Sequence, residues 1–252
     1  LVLGKHLSGV SNSYETSELL GEYMLFHYGS DDDVMPWSNG PTEGLGFAVR
    51  TVSELIDSST LGAETLGLDV GCAVGRSTFE LGRFCSRVKG VDLSVSFIDA
   101  ANRLVEHGSH EYRFLEEGDC FREAIASVSS EQRTGVEFAV EDACALPAEL
   151  GPFDVVHAAN LICRLPRPDL FLDNLASLVK PGGQLLLATP FTWLEEFTPR
   201  ENWLGAGNSE EGLARALSPF FEQEERKELP FVIREHRRKF QFSMSLGSRW
   251  RR

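Results

Sequence analysis

The sequence predicts a doubly wound α/β fold, and three observations indicate it. From residue 66 onward, short apolar runs alternate with stretches of helical periodicity, which is typical of a parallel sheet covered by helices. A glycine-containing turn follows the first of these runs, at 71–75. Near the end, residues 239–246 alternate strictly between polar and apolar side chains, which predicts an antiparallel strand at one edge of the sheet.

The elements of this fold are predicted in chain order. Strands are expected at 66–70, 88–93, 136–140, 153–159 and 184–189, and helices over about 77–87, 94–107 and 168–179. Residues 108–135 form an insertion with a helix expected over 119–129. At the end, 220–229 is expected to pair with 239–246. Before residue 60, a helix over 12–28, a loop over 29–41 and a helix from Thr42 form a helical N-terminal cap.

Composition limits the class of protein. The 252 residues fit one domain over 1–252, with a cap or lid at 1–60 and a core at 61–252. The net charge of −14 argues against nucleic-acid or anionic membrane surfaces, and no apolar run has the length of a membrane helix. Five dispersed cysteines without metal-ligand spacing favour a reduced, cytoplasmic protein and predict no metal site. Because the chain does not begin with Met, we interpret it as a domain excised from a longer polypeptide.

The turn at 71–75 indicates a nucleotide-type cofactor. A dinucleotide fingerprint starting at Gly71 would need glycines where Ala73 and Arg76 stand, which argues against a dehydrogenase. The run from Asp69 through Gly71 to Gly75 instead resembles the class I S-adenosylmethionine-dependent methyltransferase motif, acidic-x-Gly-x-Gly-x-Gly, with alanine in the middle glycine position. This resemblance implies a seven-stranded Rossmann-like methyltransferase sheet, mostly parallel with an antiparallel C-terminal edge. It also implies S-adenosylmethionine as cofactor and S-adenosylhomocysteine as product.

Acidic residues after the strands strengthen the cofactor prediction. Asp92 ends the second strand, where a carboxylate can accept hydrogen bonds from both ribose hydroxyls, or alternatively cap the next helix. The resemblance places Asp142 near the adenine amino group and Asp69 near the cofactor's amino group, with Arg50 as a candidate for its carboxylate. A solvated turn for Asp142, a solvated helix face for Arg50 and simple packing for Cys72 are the alternatives. The predicted cofactor-binding residues are Arg50, Asp69, Gly71, Cys72, Gly75, Asp92, Leu93, Asp142, Ala143 and Ala159.

The flanks of this core carry a more specific resemblance. Its segments are Tyr14-Glu15-Thr16, LGEYMLFHYG at 20–29, residues 35–46, LPFVIRE at 229–235 and Trp250-Arg251-Arg252. They resemble the mercaptohistidine N-methyltransferase domain of ovothiol biosynthesis. The resemblance implies methyl transfer to an imidazole ring nitrogen of 4(5)-mercaptohistidine, giving ovothiol A. It also implies native fusion to an N-terminal iron-dependent 5-histidylcysteine sulfoxide synthase domain. A methyltransferase for another small molecule and a noncatalytic cofactor-binding module are the alternatives.

Four residues are predicted to handle the amino-acid substrate. Asn160 follows the fourth strand, where the family presents side chains towards the methyl group. Arg164 comes one helical turn later and is expected to bind the substrate carboxylate, or else to lie at the surface. The aromatic N-terminal segment is the candidate lid, with ordinary helix packing expected for Tyr23 and Phe26 and either role open for Tyr14 and Tyr28, which stand beside loops. Its residues are Tyr14, Tyr23, Phe26, His27, Tyr28 and Trp37. Trp193, Glu195 and Glu196 are expected to complete the substrate wall.

Overall fold

A seven-stranded sheet forms the centre of the computed structural model, which describes residues 16–147 and 149–252. Its order is β5-β2-β1-β6-β7-β9-β8, with parallel pairing from β5 to β7 and antiparallel pairing to β9 and β8. A separate antiparallel pair consists of β3 and β4. The strands are β1 (Leu66–Val70), β2 (Arg87–Asp92), β3 (Ser109–Glu117), β4 (Cys120–Ser127), β5 (Val136–Val140), β6 (Phe153–Ala159), β7 (Val179–Thr189), β8 (Glu222–His236) and β9 (Lys239–Arg251).

Helices cover both faces of the sheet, as the apolar strand runs predicted. Adjacent residues of β6 point to opposite faces, so Val155 belongs to one apolar cluster and Val156 to the other. The predicted doubly wound fold with an antiparallel C-terminal edge is therefore confirmed. The helices are α1 (Ser17–Tyr28), α2 (Asp31–Val34), α3 (Phe47–Ser53), α4 (Arg76–Leu81), α5 (Val95–His107), α6 (Ser130–Arg133), α7 (Pro168–Leu178) and α8 (Ser209–Leu217).

The helix predicted over 119–129 is wrong, because this segment forms β4 and pairs with β3 as a hairpin. Gly118, with a φ of 57°, makes the turn between the two strands. Within β3, the buried Tyr112 and Phe114 alternate with exposed residues, so both lie on the inner face of the hairpin. This period-two pattern was the local signal for a strand.

The N-terminal cap differs from its prediction in detail. Within the described residues α1 begins at Ser17 and is capped by Thr16, whose hydroxyl accepts a hydrogen bond from the Leu19 amide. The capping residues expected at Asn12 and Glu15 lie outside the described residues. The loop expected over 29–41 contains the short helix α2, and Thr42 begins a 3₁₀ turn rather than capping α3.

The distal part of the β8–β9 hairpin extends beyond the main sheet. Pairing between β7 and β9 ends at Leu246, whereas β8 and β9 stay paired as far as His236 and Lys239. Arg234 of β8 forms an ion pair with Glu116 of β3 and donates a hydrogen bond to the Asp33 carbonyl. These contacts hold the hairpins together beside α1. Across the described ranges, the structure has no helix that is both long and apolar enough to cross a membrane.

Candidate active site

A cavity of about 250 Å³ opens at the carboxyl ends of β1, β2, β5 and β6. This is the edge where parallel α/β sheets bind ligands, because their connecting turns converge there. Many of the residues predicted from the sequence meet in its wall. They are Gly71, Asp92, Leu93, Asp142, Ala143, Ala159, Asn160 and Arg164.

The turn after β1 requires glycine at its first position. Gly71 has a φ of 73°, and an added Cβ would stand 2.8 Å from Leu161 Cδ1. Ala73, which takes the middle glycine position of the motif, also adopts a left-handed conformation with a φ of 48°. The alanine therefore reproduces the backbone that glycine would adopt, at the cost of some strain. Gly71 and Ala73 of this turn both line the cavity.

Asp92 is held in position by backbone donors. Its carboxylate accepts hydrogen bonds from the amides of Ala73 and Ser94, each at 2.9 Å, and it lines the cavity. Burial raises the pKa of Asp92, against the lowering effect of these two hydrogen bonds. Ser94 separately caps α5 by accepting a hydrogen bond from the Phe97 amide. An oriented carboxylate with unused lone pairs fits a ribose diol, so the site suits a nucleoside cofactor.

Asp142 lies beside Asp92 in the adjoining turn. It caps the 3₁₀ turn at Ala143–Ala145 and accepts a hydrogen bond from the Cys144 amide at 2.8 Å. Asp142, Ala143 and Leu93 form the outer rim of the cavity, and Leu93 is 58% exposed. An exposed leucine at this rim offers an apolar surface to a flat ring such as adenine.

Asp69 does not line the cavity and instead forms the centre of a buried network. Its Oδ2 accepts hydrogen bonds from the hydroxyls of Ser77 and Thr78, and its Oδ1 lies 2.7 Å from His157 Nδ1. The other ring nitrogen of His157 lies 3.1 Å from Thr51 Oγ1. Burial acts to raise the pKa of Asp69, but His157 and the hydroxyl donors outweigh it and the pKa is lowered. Asp69 thus joins β1, α3, α4 and β6 beneath the site.

Three more predicted cofactor residues lie outside the cavity wall. Arg50 is tied to Glu54 at 2.6 Å and donates to the carbonyls of Glu43 and Pro230. Cys72 is buried, and burial raises the pKa of its thiol well above the ordinary value. Gly75 precedes α4 with a φ of 87°, and an added Cβ there would meet the Phe138 ring at 2.5 Å. The structure gives these residues packing and anchoring contacts around the turn.

Asn160 and Arg164 lie together in the wall beyond β6. Asn160 has a φ of 53°, a conformation that Asn tolerates better than most residues. Its Oδ1 accepts a hydrogen bond from Ser245 of β9 at 2.7 Å. Arg164 donates to the Thr192 carbonyl at 2.6 Å, and its guanidinium lies over the Phe197 ring. Both residues line the cavity, and these contacts fix the positions of their side chains.

The predicted aromatic lid has a different arrangement. Tyr28 donates a hydrogen bond to the Val74 carbonyl at 2.8 Å and lies against Arg76, outside the cavity wall. Tyr14 lies outside the described residues. Trp193 bonds to Ser209 and stacks on Trp203, so the wall after β7 is formed by Pro190 instead.

Residues of α1, α3 and β8 close the cavity, and sequence reasoning missed those of α3 and β8. Tyr23, Phe26 and His27 of α1 belong to the aromatic segment expected to form a lid. Phe26, Phe47 and Phe231 pack together there, with the Phe47 and Phe231 rings 4.8 Å apart. Glu22 and His27 also line it. The spacing of Glu22 and Phe26 by four residues was a signal, since it places both on one helix face.

His27 stands in this wall as a neutral imidazole. Burial lowers its pKa to about 4, with Arg76 adding to the effect and Asp69 opposing it. Among the described residues, its buried Nδ1 has no hydrogen-bond partner. His27 therefore contributes a buried, uncharged ring to the wall.

A Rossmann-like sheet of this order, with a glycine turn after β1 and a carboxylate ending β2, defines the class I S-adenosylmethionine-dependent methyltransferases. The match to known families agrees. Residues 68–187 match the family described as a methyltransferase domain. Over residues 68–187 the chain therefore matches a methyltransferase domain, in agreement with the predicted class and its cofactor, S-adenosylmethionine, and the predicted fold is shared with solved methyltransferase structures.

Individual relatives are distant. The ubiquinone biosynthesis O-methyltransferase of Coxiella burnetii is 28% identical over 122 residues, 48% of this chain and 42% of that protein. The chain thus spans about two fifths of that relative's length. The N-methyltransferase NodS of Bradyrhizobium japonicum, solved with S-adenosylhomocysteine, is 17% identical with a TM-score of 0.52. The alignment covers 92% of this chain and 97% of NodS. A methyltransferase structure from Methanosarcina mazei gives a TM-score of 0.54 at 18% identity, over 77% of this chain and 95% of that one.

Proposed function

We propose that this chain transfers a methyl group from S-adenosylmethionine to an imidazole ring nitrogen of 4(5)-mercaptohistidine, producing ovothiol A and S-adenosylhomocysteine. One observation carries the choice of acceptor. Two of the five segments that carry the resemblance, at 20–29 and 229–235, contribute side chains to the cavity wall. These are Glu22, Phe26, His27, Phe231 and Ile233. The resemblance therefore lies in the residues that would contact the acceptor.

The lining residues indicate which part of the cofactor or acceptor each would contact. Asp92 would hold the ribose, Asp142 and Leu93 would adjoin the adenine, and Gly71 leaves room for the backbone to approach the cofactor. When bound, S-adenosylmethionine supplies a methyl group already activated by its sulfonium charge. The protein then has to orient the acceptor nitrogen and exclude water, which the aromatic wall of Phe26, Phe47 and Phe231 is suited to do.

The charge of the protein is compatible with this acceptor. A net charge of −14 matters little for a zwitterionic amino acid, because local pairing rather than a basic surface determines its binding. The Arg164 guanidinium and the Asn160 amide are the local groups proposed for the substrate carboxylate. Fusion to an iron-dependent sulfoxide synthase domain is part of the same proposal and rests on the resemblance.

Competition between acceptors tests this function. Equal amounts of histidine and mercaptohistidine are incubated with the chain and S-adenosylmethionine carrying a labelled methyl group, and the products are separated by chromatography. Label is expected in the ring-N-methylated mercaptohistidine, because a site built for the ring thiolate leaves its polar partners unpaired around histidine. Label mainly in methylhistidine or in the S-methyl product would refute the proposed acceptor. Calorimetry with S-adenosylhomocysteine and NAD tests cofactor binding separately.

A further inference from the structure

A carboxyl group stands in the largely aromatic wall at the acceptor end of the cavity. Glu22 lies one turn before Phe26 on α1, and both line the cavity with Phe231 and Ile233 of β8. Removing a carboxylate from water is costly unless it is paired or hydrogen-bonded. Packing alone therefore does not account for Glu22 at this position.

The charges that act on Glu22 have both signs, since Glu235 raises its pKa whereas the amino terminus of the chain and Lys239 lower it. Glu235 of β8 adds a second negative charge nearby, and this carboxylate is already bound to Lys239 at 2.6 Å and to Gln241 at 2.8 Å. On β3, which also packs against α1, Arg113 holds its guanidinium over the Phe121 ring. Within residues 16–147 and 149–252, no side chain or amide donates a hydrogen bond to Glu22. A cationic ligand in the cavity would supply a hydrogen-bond donor in direct contact with this carboxylate.

The distribution of charge around the cavity points the same way. Asp92, Glu141 and Asp142 line the cofactor end, after β2 and β5, whereas Glu22 lines the wall formed with β8. Among the described lining residues, Arg164 carries the positive charge, and its guanidinium is bound to the Thr192 carbonyl. Within the part of the lining that α1 and β8 contribute, Glu22 is therefore the charged side chain.

We propose that Glu22 is a specificity-determining residue that binds a positively charged nitrogen of the methyl acceptor. The inference rests on the proposed function and deepens it, because it assigns to the acceptor a protonated amino or imidazole group. Phenols and other acceptors without a cationic nitrogen would cover the half-buried Glu22 carboxylate without giving it a positive partner. The site therefore selects amine-bearing acceptors.

The ionisation of Glu22 sets a pH range for this role. Burial and the neighbouring Glu235 raise its pKa to about 7, while Lys239 opposes them. A cation bound to the carboxylate favours the ionised form and lowers this pKa. Acceptor binding therefore strengthens as the pH rises through about 7 and is lost as Glu22 becomes protonated below it.

A carboxyl titration tests the inference without turnover. The full chain is labelled with ¹³C at glutamate carboxyls, saturated with S-adenosylhomocysteine and titrated by NMR, with Glu22→Gln assigning the resonance. The Glu22 signal is expected to titrate near pH 7, and saturating mercaptohistidine or histidine should lower its midpoint by about one unit or more. A midpoint that neither ligand changes would overturn the inference.

Kinetics provide the second test, with a matched control. At pH 8, Glu22→Gln is expected to raise the KM for mercaptohistidine about 10- to 150-fold, with kcat less affected, because a charge-assisted contact is lost. It should also remove the acidic limb near pH 7 from the profile of kcat/KM, and Glu22→Asp should restore part of the affinity. Glu18→Gln makes the same charge change at an exposed position of α1 and should keep the wild-type values. An unchanged KM and pH profile in Glu22→Gln would contradict the proposal.

The two proposals fail in different ways. Wild-type chain that binds S-adenosylhomocysteine but methylates neither histidine compound overturns the proposed function, while the carboxyl titration still decides the role of Glu22. Methylation of mercaptohistidine at an unchanged rate by Glu22→Gln preserves the function and overturns the inference. Preferred methylation of a phenol such as catechol overturns both.

Discussion

At its cofactor end the cavity is formed by turns that directly follow β1, β2 and β5, whereas at its acceptor end it is formed by α1, α3 and the distal part of β8. The turns are fixed by the sheet, since parallel strands bring their carboxyl ends to one edge. The acceptor wall depends instead on contacts between segments far apart in the chain, such as the Phe47 and Phe231 rings. Under the proposed function, cofactor binding and acceptor choice would therefore depend on different parts of the structure.

The anchors of the two ends also differ. Beneath the cofactor end, the buried Asp69 carboxylate contacts Ser77, Thr78 and His157. This network connects the sheet to α4. At the acceptor end, the corresponding anchor is the ion pair between Arg234 and Glu116, where β8 meets the inserted hairpin. Removing each anchor should show whether the two ends unfold together or separately.

The largest effect is expected from Asp69→Ala. The substitution leaves the hydroxyls of Ser77 and Thr78 and the ring of His157 without their buried acceptor. We expect a loss of about 3–5 kcal/mol, or roughly 6–20 °C in Tm for a chain of this size. Thermal unfolding followed by circular dichroism measures it, and Asp99→Ala, at an exposed position of α5, serves as control.

The same network predicts a pH dependence. The folded-state pKa of Asp69 is lowered, so its stabilising contribution is present above the ordinary carboxyl pKa and is lost as the pH falls through the folded value. The difference in Tm between wild type and Asp69→Ala should therefore shrink on acidification. A difference that is constant from pH 7 to pH 3 would contradict the assigned network.

Arg234→Met should have a somewhat smaller effect that is confined to the acceptor end. It removes one of the two arginine partners of Glu116, leaving Arg237, and it removes the hydrogen bond to the Asp33 carbonyl, at a cost of about 2–4 kcal/mol. Hydrogen exchange should accelerate in β3 and β4 more than in β1 and β6, whereas the exposed Arg103→Met should leave both unchanged. Uniform acceleration over the whole sheet would show that the two ends form one cooperative unit.

Asp92→Ala tests the cofactor end by binding rather than stability. Loss of a charge-assisted contact worth about 1.5–3 kcal/mol predicts roughly 10- to 150-fold weaker binding of S-adenosylhomocysteine. Calorimetry measures the Kd, with Asp99→Ala again as control. If the folded variant binds with wild-type affinity, Asp92 serves only the backbone amides of Ala73 and Ser94.

Tyr28→Phe should give the smallest change. The hydroxyl donates to the Val74 carbonyl, so its loss should cost about 0.5–1.5 kcal/mol in unfolding free energy and leave turnover close to that of the wild type. Chemical denaturation and the methyl-transfer assay measure the two quantities. A loss of turnover beyond tenfold without a matching loss of stability would restore Tyr28 to the catalytic residues expected from the sequence.

The sequence was sufficient for the cofactor end because its signals are local. Each landmark follows its own strand, so recognising the strands placed Gly71, Asp92 and Asp142 at one edge of the sheet. The strand pattern could not show that the Arg50 and Asp69 side chains lie outside the cavity wall, because the direction of a side chain depends on the contacts around it. Arg50 forms an ion pair with Glu54, and the buried Asp69 carboxylate contacts His157.

Tertiary structure alone decided the acceptor end. The period-two pattern around Tyr112 and Phe114 was present in the sequence, yet the position of that hairpin against Arg234 depends on packing across the whole chain. Likewise, nothing next to Glu22 in the sequence indicates that Glu235 lies nearby or that β8 extends beyond the sheet to meet α1. By itself the sequence predicted the doubly wound fold with its antiparallel edge and brought Gly71, Asp92 and Asp142 to one edge of the sheet, because these follow from local periodicity and parallel topology. The acceptor wall required the folded structure, because its contacts join residues that no local pattern connects.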